Sequence, residues 1–354
     1  MIDDLNAVAL GLLARGKGIL AADETPRTLS RRFEALDIES TPESRRDYRE
    51  MLFTSPGLGR YVSGAILQDE TIRQDGRSGT SLVHLLGEQG IVAGIKVDTG
   101  AKPLAGSPEE LVTEGLDGLR GRLSDYGELG ARFAKWRAVI RIAGALPSPA
   151  CILANAQALA RYAALCQEQQ ILPIVEPEVL MDGDHSIDRC EAVTDRVLHA
   201  VFDALFDQGV VLERMLLKPN MVIPALRCGE QATADGVAAA TLRCMRRRVP
   251  AAVPGIVFLS GGQDERRATE HLDAINRLPG AKPWAISFSY GRALQDAALK
   301  AWAGREANVE AGQEALLHRA QCNSAAAIGA YEDHFEELNA AEGFRLVAQA
   351  AAAR

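Results

Sequence analysis

Eight short apolar segments recur along this chain, each running into polar residues and then into a longer stretch of helical character. They span 18–23, 62–69, 91–98, 133–140, 172–179, 215–221, 255–262 and 285–291. Their starts lie about 30 to 45 residues apart, enough for a strand, a helix and two loops. Between them, residues 154–169, 188–206, 232–248 and 264–278 carry apolar side chains at helical spacing. Near-continuous apolar strands alternating with helices pack as a parallel sheet covered by those helices. An open doubly wound sheet would usually use fewer strands, and no GxGxxG follows the first segment. The expected class is therefore α/β: a (β/α)8 TIM barrel, one domain with extra helices at both ends.

The 354 residues exceed what the eight units need, and the surplus lies at the termini. Residues 7–14 form a short apolar stretch followed by Arg15 and Lys17. That is the wrong charge order for a signal peptide and too short to span a membrane, so an amphipathic first helix is expected. We place the barrel at 1–330 and a C-terminal tail, mobile or partly helical, at 331–354. With no membrane segment in view, the cytoplasm is the expected location.

Net charge is -8, which disfavours a general nucleic-acid binder but leaves room for a local basic cluster that holds an anion. Six cysteines are scattered without CxxC, as expected of reduced thiols in the cytosol. The six histidines form no HxH or HExxH, so no metal site is expected.

Lys218 stands where a lysine is costly, after the apolar run Met215-Leu216-Leu217 and before Pro219, which ends any regular ladder. An ammonium at the end of a buried strand loses hydration, which favours the neutral nucleophilic amine. From this segment alone, a lysine that snorkels to the surface fits as well.

Barrel active sites lie at the carboxyl ends of the strands. There this sequence places Asp23 and Glu24, Lys96 and Asp98, Lys135 and Arg137, Glu176 and Glu178, Lys218, Ser260-Gly261-Gly262, and Ser289-Tyr290-Gly291-Arg292. Three of these are charged i, i+2 pairs, whose members face the same side of a strand. Such pairs inside a barrel must compensate one another around a cleft, or else form a salt-bridge plug. The set suits imine chemistry. Lys135 would disfavour protonation of Lys218, Glu176 would shuttle protons as a carbinolamine dehydrates, and Asp23 would act on a hydroxyl two carbons away. The resulting iminium accepts the electrons of an adjacent carbon–carbon bond, with no cofactor required. Ser260-Gly261-Gly262 alone could be a tight turn. Together with Gly291-Arg292 on the next strand it reads as a phosphate site.

At these residues the chain resembles the class I (Schiff-base) fructose-bisphosphate aldolases. The resemblance rests on Gly16-Lys17-Gly18-Ile19-Leu20-Ala21-Ala22-Asp23-Glu24, Gly94-Ile95-Lys96-Val97-Asp98, Phe133-Ala134-Lys135-Trp136-Arg137 and Ile174-Val175-Glu176-Pro177-Glu178. It continues through Asp182-Gly183-Asp184-His185, Leu216-Leu217-Lys218-Pro219-Asn220-Met221, Phe258-Leu259-Ser260-Gly261-Gly262-Gln263 and Phe288-Ser289-Tyr290-Gly291-Arg292-Ala293-Leu294-Gln295. It covers about residues 5 to 330.

The resemblance implies metal-independent, reversible cleavage of fructose 1,6-bisphosphate to dihydroxyacetone phosphate and glyceraldehyde 3-phosphate, a step of glycolysis and gluconeogenesis. Lys218 would be the Schiff-base nucleophile and Glu176 the acid/base, with Lys135 assisting, Asp23 acting at the C4 hydroxyl, and Glu178 and Arg137 completing the network. Ser260, Gly261, Ser289, Gly291 and Arg292 would hold the 1-phosphate, and Lys96, Arg32 and Thr28 would lie toward the 6-phosphate. Implied partners are phosphorylated ketoses and trioses, with no nucleic acid and no membrane, in a homo-oligomer, as a homotetramer.

The chain departs from the animal pattern twice. Thr25-Pro26-Arg27-Thr28 replaces a Ser/Gly-rich turn, which would stiffen the loop and bring Arg27 near the far phosphate. A terminal tyrosine that helps exchange the C3 proton is absent, the last tyrosine being Tyr331. A non-catalytic barrel scaffold would have no need of Lys218, Glu176, Lys135 and Asp23 together. A phosphate-binding isomerase barrel would need a base but not paired lysines.

Overall fold

The computed structural model describes residues 4–338 and 340–352. Met1, Ile2, Asp3 and the last two residues, which include Arg354, lie outside this range. Ten strands occur among the described residues: β1 (Gly18–Ala21), β2 (Val62–Leu67), β3 (Val92–Lys96), β4 (Gly100–Leu104), β5 (Ser107–Glu114), β6 (Phe133–Ile140), β7 (Leu172–Val179), β8 (Leu216–Leu217), β9 (Gly255–Phe258) and β10 (Ala285–Tyr290). Eight of them close a parallel barrel in chain order, with β10 pairing back onto β1. Each of the eight apolar segments of the sequence contributes one barrel strand, and helices run between them as in a (β/α)8 TIM barrel.

Strand β8 pairs over only two residues because Pro219 has no N–H to continue the ladder. The helix foreseen at 154–169 begins earlier, at Pro149–Glu168, where the Ser148 hydroxyl accepts from the Cys151 N–H and Pro149 occupies the first turn. The helices Ile187–Asp207, Ala234–Arg248 and Glu265–Arg277 fall within two residues of expectation. The antiparallel hairpin β4–β5, inserted between β3 and β6, was not foreseen. Only two residues of its strands are buried, both in β5 and both polar (Glu110 and Thr113), so the sequence shows no apolar alternation there.

Period-two alternation sorts the side chains by depth. Phe133, Leu172, Ile174 and Leu216 point into the barrel and pack with Leu5, Ala9 and Leu12. The N-terminal helix Asp4–Leu12 therefore plugs the amino-terminal mouth. Phe133 needs the space that Gly94 leaves, since a Cβ there would lie 2.3 Å from its ring. Trp136, Val175 and Leu217, one step along, face outward into the main core under the helices. The next inward positions are Lys135, Glu176 and Lys218, directly above the apolar floor. Register fixes their heights, with Lys96 opposite Lys135 and Arg137 opposite Glu176.

At the C-terminal end, helix Val309–Ala327 packs on the barrel, and its Ser324 hydroxyl donates to the Gly16 carbonyl. Tyr331 and Phe335 are buried, and Ala340–Ala352 is helical. All six cysteines are free thiols, five of them buried. No helix among the described residues is long and apolar enough to cross a membrane.

Candidate active site

A cleft of about 730 Å³ opens at the carboxyl ends of the strands, and all fourteen residues singled out from the sequence line it. At its base four charges alternate in sign. Lys135 Nζ lies 2.7 Å from Asp23 Oδ2 and 3.2 Å from Glu176 Oε2, and Lys218 Nζ lies 3.3 Å from Glu176 Oε1. Lys218 is 3% exposed, so it does not snorkel. Its N–H donates to the Val175 carbonyl at 2.8 Å, which locks the residue to β7. The two lysines are separated by the Glu176 carboxylate, which gives one oxygen to each.

Burial opposes the charges of Asp23, Glu176 and Lys135, and their neighbours overcome it. Burial would raise the Asp23 carboxyl, yet Lys135, Lys218 and Lys96 hold it well below the usual carboxylate range. Glu176 is likewise lowered, its burial outweighed by Lys135, Lys218 and Arg137. Burial alone would lower Lys135, but Asp23 and Glu176 hold its ammonium above the ordinary lysine range. Asp23, Glu176 and Lys135 thus rest as carboxylate, carboxylate and ammonium. The Glu176 Oε2 contact with Lys135 is an ion pair without hydrogen-bond alignment, which leaves that oxygen an acceptor in reserve.

Around this row, Arg137 Nε pairs with Glu178, and the Arg137 N–H donates to Asp98 Oδ2 at 3.3 Å. Lys96 Nζ contacts Asp98 Oδ1 at 2.7 Å and the Asp98 carbonyl at 2.8 Å.

On one side of the cleft, Ser260, Gly261 and Gly262 meet Ser289, Gly291 and Arg292. Gly261 and Gly262 have φ of 60° and 88°, a left-handed turn that favours glycine and aims backbone N–H groups at an anion. Gly291 precedes the helix Arg292–Trp302 and supplies no side-chain cap, so the first N–H groups of that helix are available. The buried Ser289 hydroxyl has no protein partner, as suits a group kept for a ligand oxygen.

At the opposite end, Thr25 caps the helix Pro26–Glu34, and Pro26 takes its first turn. Thr28, Arg31, Arg32 and Ala35 share the face that lines the cleft. Arg27, turned about 100° from Thr28 in the first turn, is not among the lining residues, which corrects the expectation that it approaches a far phosphate. Arg32 is committed to Glu24 and to Asp296, the latter at 2.9 Å. Arg31, missed in the sequence, makes no ion pair among the described residues and lines the cleft. Helical spacing from Thr28 was the signal that could have found it. Tyr331 sits outside the cleft, its hydroxyl 2.6 Å from Glu336 Oε1.

Comparison with known proteins agrees with this geometry. The family model described as glycolytic, fructose-bisphosphate aldolase class-I, matches residues 4–350. A probable fructose-bisphosphate aldolase class 1 of Xanthomonas campestris is 54% identical over 332 residues, 94% of this chain and 99% of that protein. The cytosolic fructose-bisphosphate aldolase 4 of Arabidopsis thaliana is 52% identical, covering 92% of this chain and 83% of the relative. The solved fructose-bisphosphate aldolase of Plasmodium falciparum superposes with a TM-score of 0.91 at 48% identity, covering 93% and 95% of the two chains.

Proposed function

The chain belongs to the class I fructose-bisphosphate aldolases, lyases of the Schiff-base type, and from that premise we propose that Lys218 forms the imine and that the charged row around it moves every proton. The single observation that carries this reading is the shared Glu176 carboxylate, 3.3 Å from one lysine and 3.2 Å from the other.

Ionised at rest, Glu176 can take the ammonium proton of Lys218 as the amine adds to the ketose C2 carbonyl. It returns that proton to the carbinolamine hydroxyl, which leaves as water, and an iminium remains. The iminium draws the electrons of the C3–C4 bond, and the C4 hydroxyl proton passes to Asp23. Lys135 keeps Asp23 a weak base in the empty cleft, so proton removal is driven by the iminium's electron demand. The aldehyde departs, the enamine takes a proton at C3 from water in the cleft, Asp23 gives its proton back to that water, and water enters at C2 with Glu176 again as base. Glu178 and Arg137 hold the row in place.

The phosphate next to the reacting carbonyl would sit on Ser260, Gly261, Ser289, Gly291 and Arg292. The distal phosphate would meet Lys96, Thr28 and Arg31, with Arg32 shaping that wall. A second basic end favours a bisphosphate over fructose 1-phosphate. Sedoheptulose 1,7-bisphosphate is the rival of the same kind, and kcat/KM on the three sugars separates them. We further propose metal-independent turnover in the cytoplasm by a homotetramer, readable from activity in EDTA and from light scattering.

The test of the mechanism is borohydride reduction in the presence of dihydroxyacetone phosphate, followed by peptide mapping. The adduct is expected on Lys218. An adduct elsewhere, or none, overturns the assignment.

A further inference from the structure

Away from the cleft, three donors of different chemistry converge where the C-terminal region meets the barrel. His318 and Cys322 lie four residues apart on the helix Val309–Ala327 and so share one face. Glu336 comes from the short turn Asp333–Glu337 that crosses that face. His318 Nε2 is 3.9 Å from Cys322 Sγ and 3.6 Å from Glu336 Oε2, and one donor atom from each residue falls within 4.8 Å of the others. Metal–ligand bonds of about 2.0 to 2.3 Å at tetrahedral angles put such donors about 3.5 Å apart. The His318–Cys322 and His318–Glu336 separations lie within a few tenths of an ångström of that value, and Cys322 and Glu336 lie within 4.8 Å of each other, so side-chain rotation brings the three donors onto one centre. We propose that His318, Cys322 and Glu336 form a binding site for a thiophilic divalent cation of the zinc class, with water as fourth ligand.

The surroundings decide what kind of site it is. Cys322 is buried and His318 is partly exposed, so the thiol lies inside and the imidazole edge marks the entry. A thiol, an imidazole and one carboxylate together select zinc-like cations over calcium or magnesium. Tyr331 donates to Glu336 Oε1 at 2.6 Å, and Arg319 donates to Oε2. Both hold the carboxylate in position, as partners behind a metal ligand do. The Arg319 charge also opposes a cation, which makes this a moderate binder and not a tight structural zinc site.

Burial pushes the Cys322 thiol up to about 12, so the metal must displace its proton. The S–H bond breaks, a sulfur–metal bond forms, and the proton passes to solvent. Occupation would pin the Asp333–Glu337 turn, and the helix Ala340–Ala352 beyond it, onto the helix Val309–Ala327. The spacing of cysteines and histidines in the sequence gave no such site, because the third ligand is a glutamate fourteen residues past Cys322.

The test uses the untagged full-length protein titrated with Co2+ and with Zn2+. One equivalent of Co2+ is expected to bring up a thiolate-to-metal charge-transfer band, and Zn2+ to release one proton and raise the unfolding temperature. Cys322→Ser should abolish the band, and His318→Gln should weaken binding at least about tenfold. Circular dichroism of both variants reports whether they fold, and His318→Gln, partly exposed, tests the site even if the buried change unfolds the chain. Absence of stoichiometric binding by the wild type, or equal binding by folded His318→Gln, overturns the proposal.

Discussion

Glu176 on β7 and Lys218, one residue past the end of β8, meet at 3.3 Å across the floor of the barrel. Both are almost fully buried. The pair is tolerable only because the second Glu176 oxygen faces Lys135, which in turn faces Asp23. Four charges of alternating sign leave no net charge in a dry place.

Lys218→Met is therefore expected to remove borohydride trapping and sugar cleavage while the barrel survives, since Glu176 retains Lys135. Lys135→Met leaves Asp23 without its partner and Glu176 with Lys218 alone. Loss of one partner from a buried ion pair costs about 3–5 kcal/mol. Thermal unfolding compared side by side should show Lys135→Met melting well below Lys218→Met. Equal melting temperatures would refute the view that Lys135 is the charge holding the row together.

Glu176→Gln keeps the shape and removes the proton carrier. Single-turnover imine formation should fall about 10²–10⁴-fold, the usual contribution of a positioned acid/base group. Lys218 should still be labelled, slowly, when trapping is prolonged. A Glu176→Gln variant with wild-type imine formation would assign the proton transfers to another group.

Much of this site was legible because it lies on strands. Period two placed Lys135 beside Arg137 and Glu176 beside Glu178 on the inner face, and parallel register then brought the pairs to one height. Position along a strand cannot say which oxygen faces which amine, so the Glu176 bridge between the lysines emerged only in three dimensions. The distal end was read less well because it lies on a helix. There Arg27, one residue before the lining Thr28, is turned about 100° away from it, while Arg31, three residues after Thr28, comes back to within about 60°. The β4–β5 hairpin left no signal, the two buried residues of its strands, Glu110 and Thr113, being polar.

That difference is testable at the distal phosphate. Arg31→Ala should raise KM for fructose 1,6-bisphosphate and leave fructose 1-phosphate little changed, while Arg27→Ala should affect neither. A charge-assisted hydrogen bond contributes about 1.5–3 kcal/mol, so roughly a tenfold or larger loss in kcat/KM is expected for the bisphosphate. Equal losses on both sugars would place Arg31 outside the distal subsite.

Gly261→Ala probes the proximal phosphate. Its φ of 60° strains an alanine, and a Cβ would approach Leu259 Cδ1 to 3.2 Å. The turn should shift, raising KM for both sugars alike and weakening inhibition by inorganic phosphate. Unchanged phosphate inhibition would show that this turn does not hold the anion.

The last prediction concerns acid. His271 is 4% exposed, and its Nδ1 meets Gln263 Oε1, while Gln263 Nε2 donates to the Ser260 carbonyl at 2.9 Å. The phosphate turn therefore leans on this ring through Gln263. Burial, aided by nearby Arg267 and only partly offset by Asp264, lowers the His271 pKa to about 4, against 6.5 for an unperturbed imidazole. Between those values the unfolded chain binds a proton that the folded chain does not, so stability falls as pH drops from 6.5 through 4 and the effect levels off below. The most this one group can cost is about 3 kcal/mol. His185, also lowered by burial, adds slope of the same sign. Asp23 is held well below the usual carboxylate range and adds its own loss only at lower pH. His271→Gln, which keeps a donor for Gln263, should flatten the unfolding temperature between pH 6.5 and 4 relative to the wild type. The same variant should keep phosphate inhibition at pH 4, where the folded wild type takes up its proton on His271, closer to its pH 7 value. Parallel pH profiles for the two proteins would separate His271 from both effects.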